Sequence, residues 1–192
     1  MWPWEHLGFA YVLYSIVSRV AFGESPRGDG VLVVAFASLL PDLVDKPLSW
    51  TLEVTETGYS VAHSAFVAPL LVGIVVAVAG NENRPRLAAA FVVGYLSHLV
   101  GDVVYPAIRG GELAVHAVLW PVVVGEPGNY GGLLQTFNQY FSRFLHEVAS
   151  GELSAVLVFE LALVSFTALV WALDGFPVLR ELYRSVADHL WN

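Results

Sequence analysis

Six ionisable side chains stand within or at the ends of apolar segments of this sequence. They are three histidines and three aspartates: His6, Asp42, Asp45, His63, His98 and Asp102. Ionisable groups are costly inside a membrane, so those that occur there usually face a bundle interior or a wet cavity and serve a function. His98 and Asp102 are four residues apart and Asp42 and Asp45 are three apart, so each pair shares a face if its segment is helical.

Imidazole and carboxylate together are ligands for a divalent metal ion. They suit zinc, which is the preferred ion here, with manganese or iron as alternatives, and carboxylates can bridge two ions. Buried carboxylates also repel one another unless a cation lies between them. A bound divalent metal lowers the pKa of its water to about 7 and polarises a phosphoryl or carbonyl oxygen. The six residues therefore predict a metal site whose natural chemistry is metal-assisted hydrolysis.

Roles within this predicted site follow from residue type. We expect the three imidazoles to hold the metal and Asp42 and Asp102 to ligate or bridge it, while Asp45 is a ligand or the general base on metal-bound water. Asp45 and Asp102 are thus the predicted catalytic residues. Each motif alone has an ordinary interpretation, such as a hydrogen-bonded His–Asp pair or a helix cap. The metal interpretation depends on all six groups lying at one membrane face.

Composition decides the class of protein. The 192 residues are 56% hydrophobic and 14% charged, whereas a soluble domain carries about 25% charged residues. A small soluble protein would have too little polar surface to cover this much apolar side chain. The absence of cysteine excludes a disulfide scaffold and thiolate metal sites. The net charge of −8 is the wrong sign for binding a phosphate backbone, so no nucleic-acid partner is expected.

Apolar segments predict an all-α integral membrane bundle of about four spans plus a half-span. The spans are predicted at residues 7–22, 61–79, 87–108 and 153–173, with a half-span at 30–40 that Pro41 and Asp42 end. Amphipathic helices are predicted at 133–148 and 178–190. Residues 1–124 form the predicted metal-binding core, and 125–192 complete the same domain. Within the last span, Glu160 is expected to pair with a buried arginine such as Arg19 or to mark a proton path.

Basic residues suggest an orientation in the cell membrane. Six of them flank the predicted spans in positions that can all be cytoplasmic: Arg19, Arg27, Arg84, Arg86, Arg180 and Arg184. That arrangement puts the six histidines and aspartates near the non-cytoplasmic face. Membrane lipid is the expected partner, and a lipid or phosphoester the expected substrate.

Five short stretches resemble one known family of membrane-bound, metal-dependent hydrolases, the LexA-binding, inner-membrane-associated hydrolases, and its archaeal members in particular. These stretches are 4–7 (WEHL), 38–45 (SLLPDLVD), 62–64 (AHS), 94–102 (GYLSHLVGD) and 119–121 (LWP). The family is in turn similar to zinc-dependent phospholipase C enzymes, which are all-helical. The resemblance implies phosphoester hydrolysis and nominates the same six metal ligands.

The sequence differs from the family pattern at Gly58, where many members have histidine, at Ala62 in place of threonine, and in its Asp-x-x-Asp spacing. Two other functions therefore stay open. One is a membrane transporter or metal-handling protein, in which the same groups form a permeation or proton site. The other is a catalytically degenerate member that acts as a structural or partner-binding protein.

Overall fold

The structure, a computed structural model, describes residues 1–128, 130–150 and 154–190 and is built from helices. No strand occurs in those residues, which confirms the all-α prediction. The seven α-helices are α1 (Pro3–Phe22), α2 (Gly28–Trp50), α3 (Ala68–Asn81), α4 (Pro85–Ile108), α5 (Leu133–Ala149), α6 (Ala155–Leu173) and α7 (Leu179–Leu190), and a short 3₁₀ helix spans Val115–Val118.

The chain forms two compact units. The first contains residues 1–39, 72–98 and 162–192, and the second contains 40–71 and 99–161. The predicted boundary near residue 124 is not tested by this division and stays a prediction.

The core of the first unit is made of small and aromatic side chains from three helices. Ala10 and Tyr14 of α1 pack with Val34 of α2 and Ala90 of α4, and all four are almost fully buried. Small residues bring helix backbones close together, which is how helices gain packing energy when lipid replaces water as the solvent.

Gly94 sets the distance between α2 and α4 in this unit. A Cβ atom at Gly94 would lie 2.6 Å from the carbonyl oxygen of Val34 and 2.9 Å from the Cβ of Ala37. Neither atom is the flexible end of a long side chain, so any larger residue would push the two helices apart. The position requires glycine for close approach.

A buried carboxylate fastens α6 to α1 in the same unit. Asp174, which follows the last residue of α6, accepts hydrogen bonds from Tyr11 Oη at 2.7 Å and Ser15 Oγ at 2.8 Å, and pairs with Arg19 at 2.5 Å. The three partners recur every four residues along one face of α1. Arg19 therefore pairs with Asp174, and the predicted pairing of Glu160 with a buried arginine stays a prediction.

Two helices in the described part of the chain are long and apolar enough to cross a membrane: α4 and residues Val156–Leu173 of α6. The predicted bundle of four spans and a half-span is therefore not confirmed. The predicted span at 61–79 is the shorter α3, because residues 61–67 form turns before it. Ser64 stabilises these turns, since its Oγ accepts the backbone N–H of Phe66 at 3.1 Å.

The predicted end of the second helix at Pro41 and Asp42 is wrong. α2 continues to Trp50 through Pro41 and Pro47. A proline inside a helix removes one backbone donor and strains one turn, but Pro41 is fully buried, and so is Asp45 one turn later. Burial and side-chain hydrogen bonds beyond the proline keep the helix intact. The amphipathic helices predicted in the last third occur as α5 and α7.

We expect Gly94→Ala to destabilise the protein by about 1–3 kcal/mol, the usual cost of overpacking. Gly73→Ala is the matched control, because that helical glycine has no atom within 4 Å of its Cβ position, and alanine is the better helix former by about 1 kcal/mol. Thermal unfolding in detergent should show a lower midpoint for the first variant and an equal or higher one for the second. Equal midpoints for Gly94→Ala and wild type would contradict this account of α2–α4 packing.

Candidate metal centre

Four of the six predicted residues form a buried cluster that could hold a metal ion: Asp42, His63, His98 and Asp102. Each offers one ligand atom, and these atoms all lie within 4.8 Å of one another. His63 Nε2 lies 3.6 Å from Asp42 Oδ1 and 3.4 Å from Asp102 Oδ2. Two ligands that bind zinc tetrahedrally at about 2.0–2.1 Å are about 3.3 Å apart. The separations around His63 are therefore close to those of atoms that share one ion.

Local helical geometry explains how this sequence positions the cluster. His98 and Asp102 lie one turn apart on α4, so their side chains project from the same face. Asp42 lies on α2, directly after Pro41. His63 lies in the connection between α2 and α3, and this connection depends on a third aspartate.

Asp45 organises that connection through hydrogen bonds. Its carboxylate accepts the backbone N–H groups of Ser60 at 2.8 Å, Ala62 at 3.0 Å and His63 at 3.0 Å. It also lies 2.8 Å from Nδ1 of the His63 ring. A buried carboxylate needs this many donors to offset its lost hydration. Asp45 therefore both folds the loop and orients the imidazole that the loop carries.

Both cluster histidines have Nδ1 committed to an acceptor. His63 Nδ1 faces the Asp45 carboxylate, and His98 Nδ1 lies 2.6 Å from the backbone carbonyl oxygen of Ser38. A carbonyl can only accept, so Nδ1 of His98 must carry the proton and Nε2 of the neutral ring has a lone pair. Metal-binding histidines almost always show this arrangement, in which the other ring nitrogen donates to a carboxylate or carbonyl.

Charge also favours a cation beside His63, which lies outside the membrane-spanning helices. Burial lowers the pKa of this imidazole, but hydrogen bonds with Asp102 and Asp45 and the nearby charge of Asp42 outweigh burial and raise the pKa to about 9. The carboxylates thus retain a proton on the ring when no metal neutralises them. The Tyr59 ring contacts His63 edge-on with centroids 5.0 Å apart. Burial and the charges of Asp102 and Asp42 raise its pKa, so Tyr59 stays a neutral phenol.

His6 and Asp45 were predicted as ligands, and the structure places both outside the four-residue cluster. His6 is buried and stacks on His98, with ring centroids 3.8 Å apart and an angle of 15° between the planes. Asp45 directs its oxygens at backbone N–H groups and at the far side of the His63 ring. Its geometry is that of a positioning residue. The ligation predicted for His6 and Asp45 and the catalytic roles predicted for Asp45 and Asp102 stay predictions.

Lys46 is a further residue of the site, beyond the six that the sequence predicts. Its ammonium group pairs with Asp42 Oδ2, one helical turn away. The Asp–Lys spacing of four residues was the available signal, because such pairs meet on one helix face. A helix that ended at Pro41 would not place these two residues on one face, but α2 continues to Trp50. Gly58, the position at which the sequence departs from the family pattern, lies beside Lys46: a Cβ there would be 3.7 Å from Lys46 Cγ.

In the part of the chain that the structure describes, two apolar, membrane-length helices and a buried cluster of histidine and aspartate fit the class of membrane-associated proteins with a candidate metal centre. The chain belongs to the YdjM inner membrane protein family, whose model matches residues 1–175. The match covers most of the chain, including α5 and α6, for which the sequence motifs gave no support. Searches among curated proteins and among solved structures find no match to this chain.

We expect Asp45→Asn to weaken metal binding about 10–100-fold, the usual effect of losing a partner of a ligating histidine. The asparagine oxygen can still accept backbone N–H groups, but its amide donates to His63 Nδ1. The ring proton then moves to Nε2, which faces the cluster. Metal affinity should be measured by competition with a chromophoric chelator.

Glu82→Gln is the matched control, because it removes one carboxylate charge at an exposed position. Its metal affinity should equal that of wild type. If Asp45→Asn also binds metal like wild type, the positioning role assigned to Asp45 is wrong.

Proposed function

We propose that this chain is a metal-dependent hydrolase of the inner membrane, acting on a phosphoester or lipid-like substrate through metal-activated water. One observation carries the proposal. His63 and His98 each have Nδ1 held by an acceptor, and each contributes a ligand atom to a group completed by the carboxylates of Asp42 and Asp102.

The donor set fits a divalent ion. Two imidazoles and two carboxylates are the nitrogen and oxygen ligands that zinc accepts, and zinc is the first candidate, ahead of manganese and iron. The two aspartates would balance the charge of one ion. A divalent metal with an open position supplies an acidified water molecule and polarises the bond to be cleaved.

The remaining steps belong to residues of this chain. Asp45 and the Ser38 carbonyl orient the two imidazoles, while burial of His63, His98 and Asp102 excludes bulk water from the cluster. Four hydrogen bonds already occupy Asp45. The proton-accepting role predicted for it therefore passes, in this proposal, to the cluster carboxylates of Asp42 and Asp102.

We further propose that the centre lies near the non-cytoplasmic face of the membrane, with lipid as its neighbour. The positions of the six arginines named above, relative to the spans that the sequence predicts, favour this orientation. A substrate in or near the lipid headgroup region would reach such a centre without crossing the membrane.

Metal content and hydrolysis in purified protein test the proposal together. Detergent-purified wild type should bind about one divalent ion per chain and should hydrolyse bis(p-nitrophenyl) phosphate, a soluble phosphodiester probe. His98→Ala and Asp102→Ala should each lose the metal and at least about 100-fold in rate, as expected when an ion that activates water is lost.

His146→Ala is the control, because this exposed histidine lies on α5 and should leave both measurements unchanged. Protein that binds no metal would overturn the proposal. Protein that binds metal tightly but hydrolyses no phosphate ester or carboxylic ester would overturn the hydrolase assignment and favour metal handling.

A further inference from the structure

Lys46, the single lysine of this chain, is held by two partners. Its ammonium group pairs with Asp42 Oδ2, and it lies 5.4 Å from the centroid of the Trp50 ring. Lysine is a flexible, strongly hydrated cation, and an aromatic face attracts such a group once it is partly desolvated. Two partners thus fix the charge beside Asp42, whose other oxygen faces His63.

Side-chain exposure shows from which side the centre can be reached. The side chains of His63 and Asp102 are 0% and 2% exposed, whereas those of Asp42 and Lys46 are 10% and 25% exposed. Among these four residues, the ion pair of Asp42 and Lys46 is the part that reaches solvent. A substrate that approaches the metal-binding atoms from this side meets the lysine first.

The charge of Lys46 would balance the charges of the aspartates around a bound metal ion. Asp42, Asp45 and Asp102 contribute three negative charges around His63, and one divalent ion neutralises only two of them. Without Lys46 the loaded centre would keep a net negative charge and would repel a phosphate or carboxylate group. With Lys46 the charges cancel, and an anion at the exposed side lies between two cations.

We propose that Lys46 binds the anionic group of the substrate and thereby makes the centre selective for phosphoryl compounds over neutral esters. This proposal rests on the proposed function, since it assumes that the cluster holds a metal. The ammonium group would exchange its pairing with Asp42 Oδ2 for the incoming anion, and Asp42 would remain with the metal.

Aromatic residues shape the space around this lysine. Trp50 packs against Tyr130 and Tyr140, with ring centroids 5.6 and 6.2 Å apart. Gly58 keeps the adjacent position small, because a Cβ there would lie 3.4 Å from Trp50 Nε1. Tyr140 belongs to α5, so the last third of the chain contributes a wall beside the exposed side of the centre. These aromatic side chains would contact the apolar or alcohol part of an ester substrate.

Inorganic phosphate and the metal alone are the probes of Lys46. Wild type and variants are loaded with Co²⁺, whose visible absorption reports on its ligands, and are titrated with phosphate. Zinc affinity is measured separately by chelator competition. Lys46→Met, which keeps the chain length and removes the charge, should weaken phosphate binding at least tenfold and should leave zinc affinity equal or higher, because the lysine competes with the metal for Asp42.

Lys46→Arg should retain phosphate binding within a few-fold, and Arg84→Met, which removes a charge from the exposed hairpin at residues 82–84, should behave like wild type. Unchanged phosphate binding in Lys46→Met would overturn the proposal. A parallel loss of zinc and phosphate binding would also overturn it, because Lys46 would then only support Asp42. Failure of wild type to bind metal would instead overturn the proposed function itself, so the two failures are distinguishable.

Discussion

The candidate centre depends on the hydrogen bonds that Asp45 makes between α2 and the loop that follows it. One carboxylate accepts three backbone N–H groups and faces the Nδ1 atom of His63. These bonds hold the loop in a conformation that presents His63 toward Asp42 and Asp102. The same bonds explain why residues 61–67 form turns instead of the first turns of a longer α3. A polar interaction inside an apolar chain is strong because water does not compete for it.

Two different requirements meet on α4. Near its middle, Gly94 lets the helix backbone approach α2 closely, and one turn later His98 donates to the carbonyl oxygen of Ser38 on α2. Close packing is therefore what makes this hydrogen bond possible, since a larger residue at position 94 would move the ring away from its acceptor. Stability and ligand orientation are thus coupled in this helix pair, and part of the packing serves the site.

Residue type and spacing predict most residues of the site, but they do not predict which of them join the cluster and which only position its members. The four-residue spacing of His98 and Asp102 predicts that they share a helix face, and their positions on α4 confirm it. Asp-x-x-Asp spacing does not reveal that the Asp45 carboxylate accepts backbone N–H groups, whereas Asp42 contributes a ligand atom to the cluster. Lys46 is not predicted as part of the site, because a helix that ends at Pro41 would not bring it beside Asp42. The apolar segments predict the helical fold. They do not predict the number of spans, because α3 begins only at Ala68, after a loop whose backbone N–H groups bind the carboxylate of Asp45.

The most direct test of this account is X-ray absorption at the metal edge of the zinc-loaded protein in detergent. The account predicts about one zinc per chain, nitrogen and oxygen ligands at about 2.0–2.1 Å, and the outer-shell scattering of two imidazole rings, of which one disappears in His63→Gln. A spectrum without imidazole scattering, or one that His63→Gln leaves unchanged, would contradict the claim that this buried cluster of histidine and aspartate binds the metal.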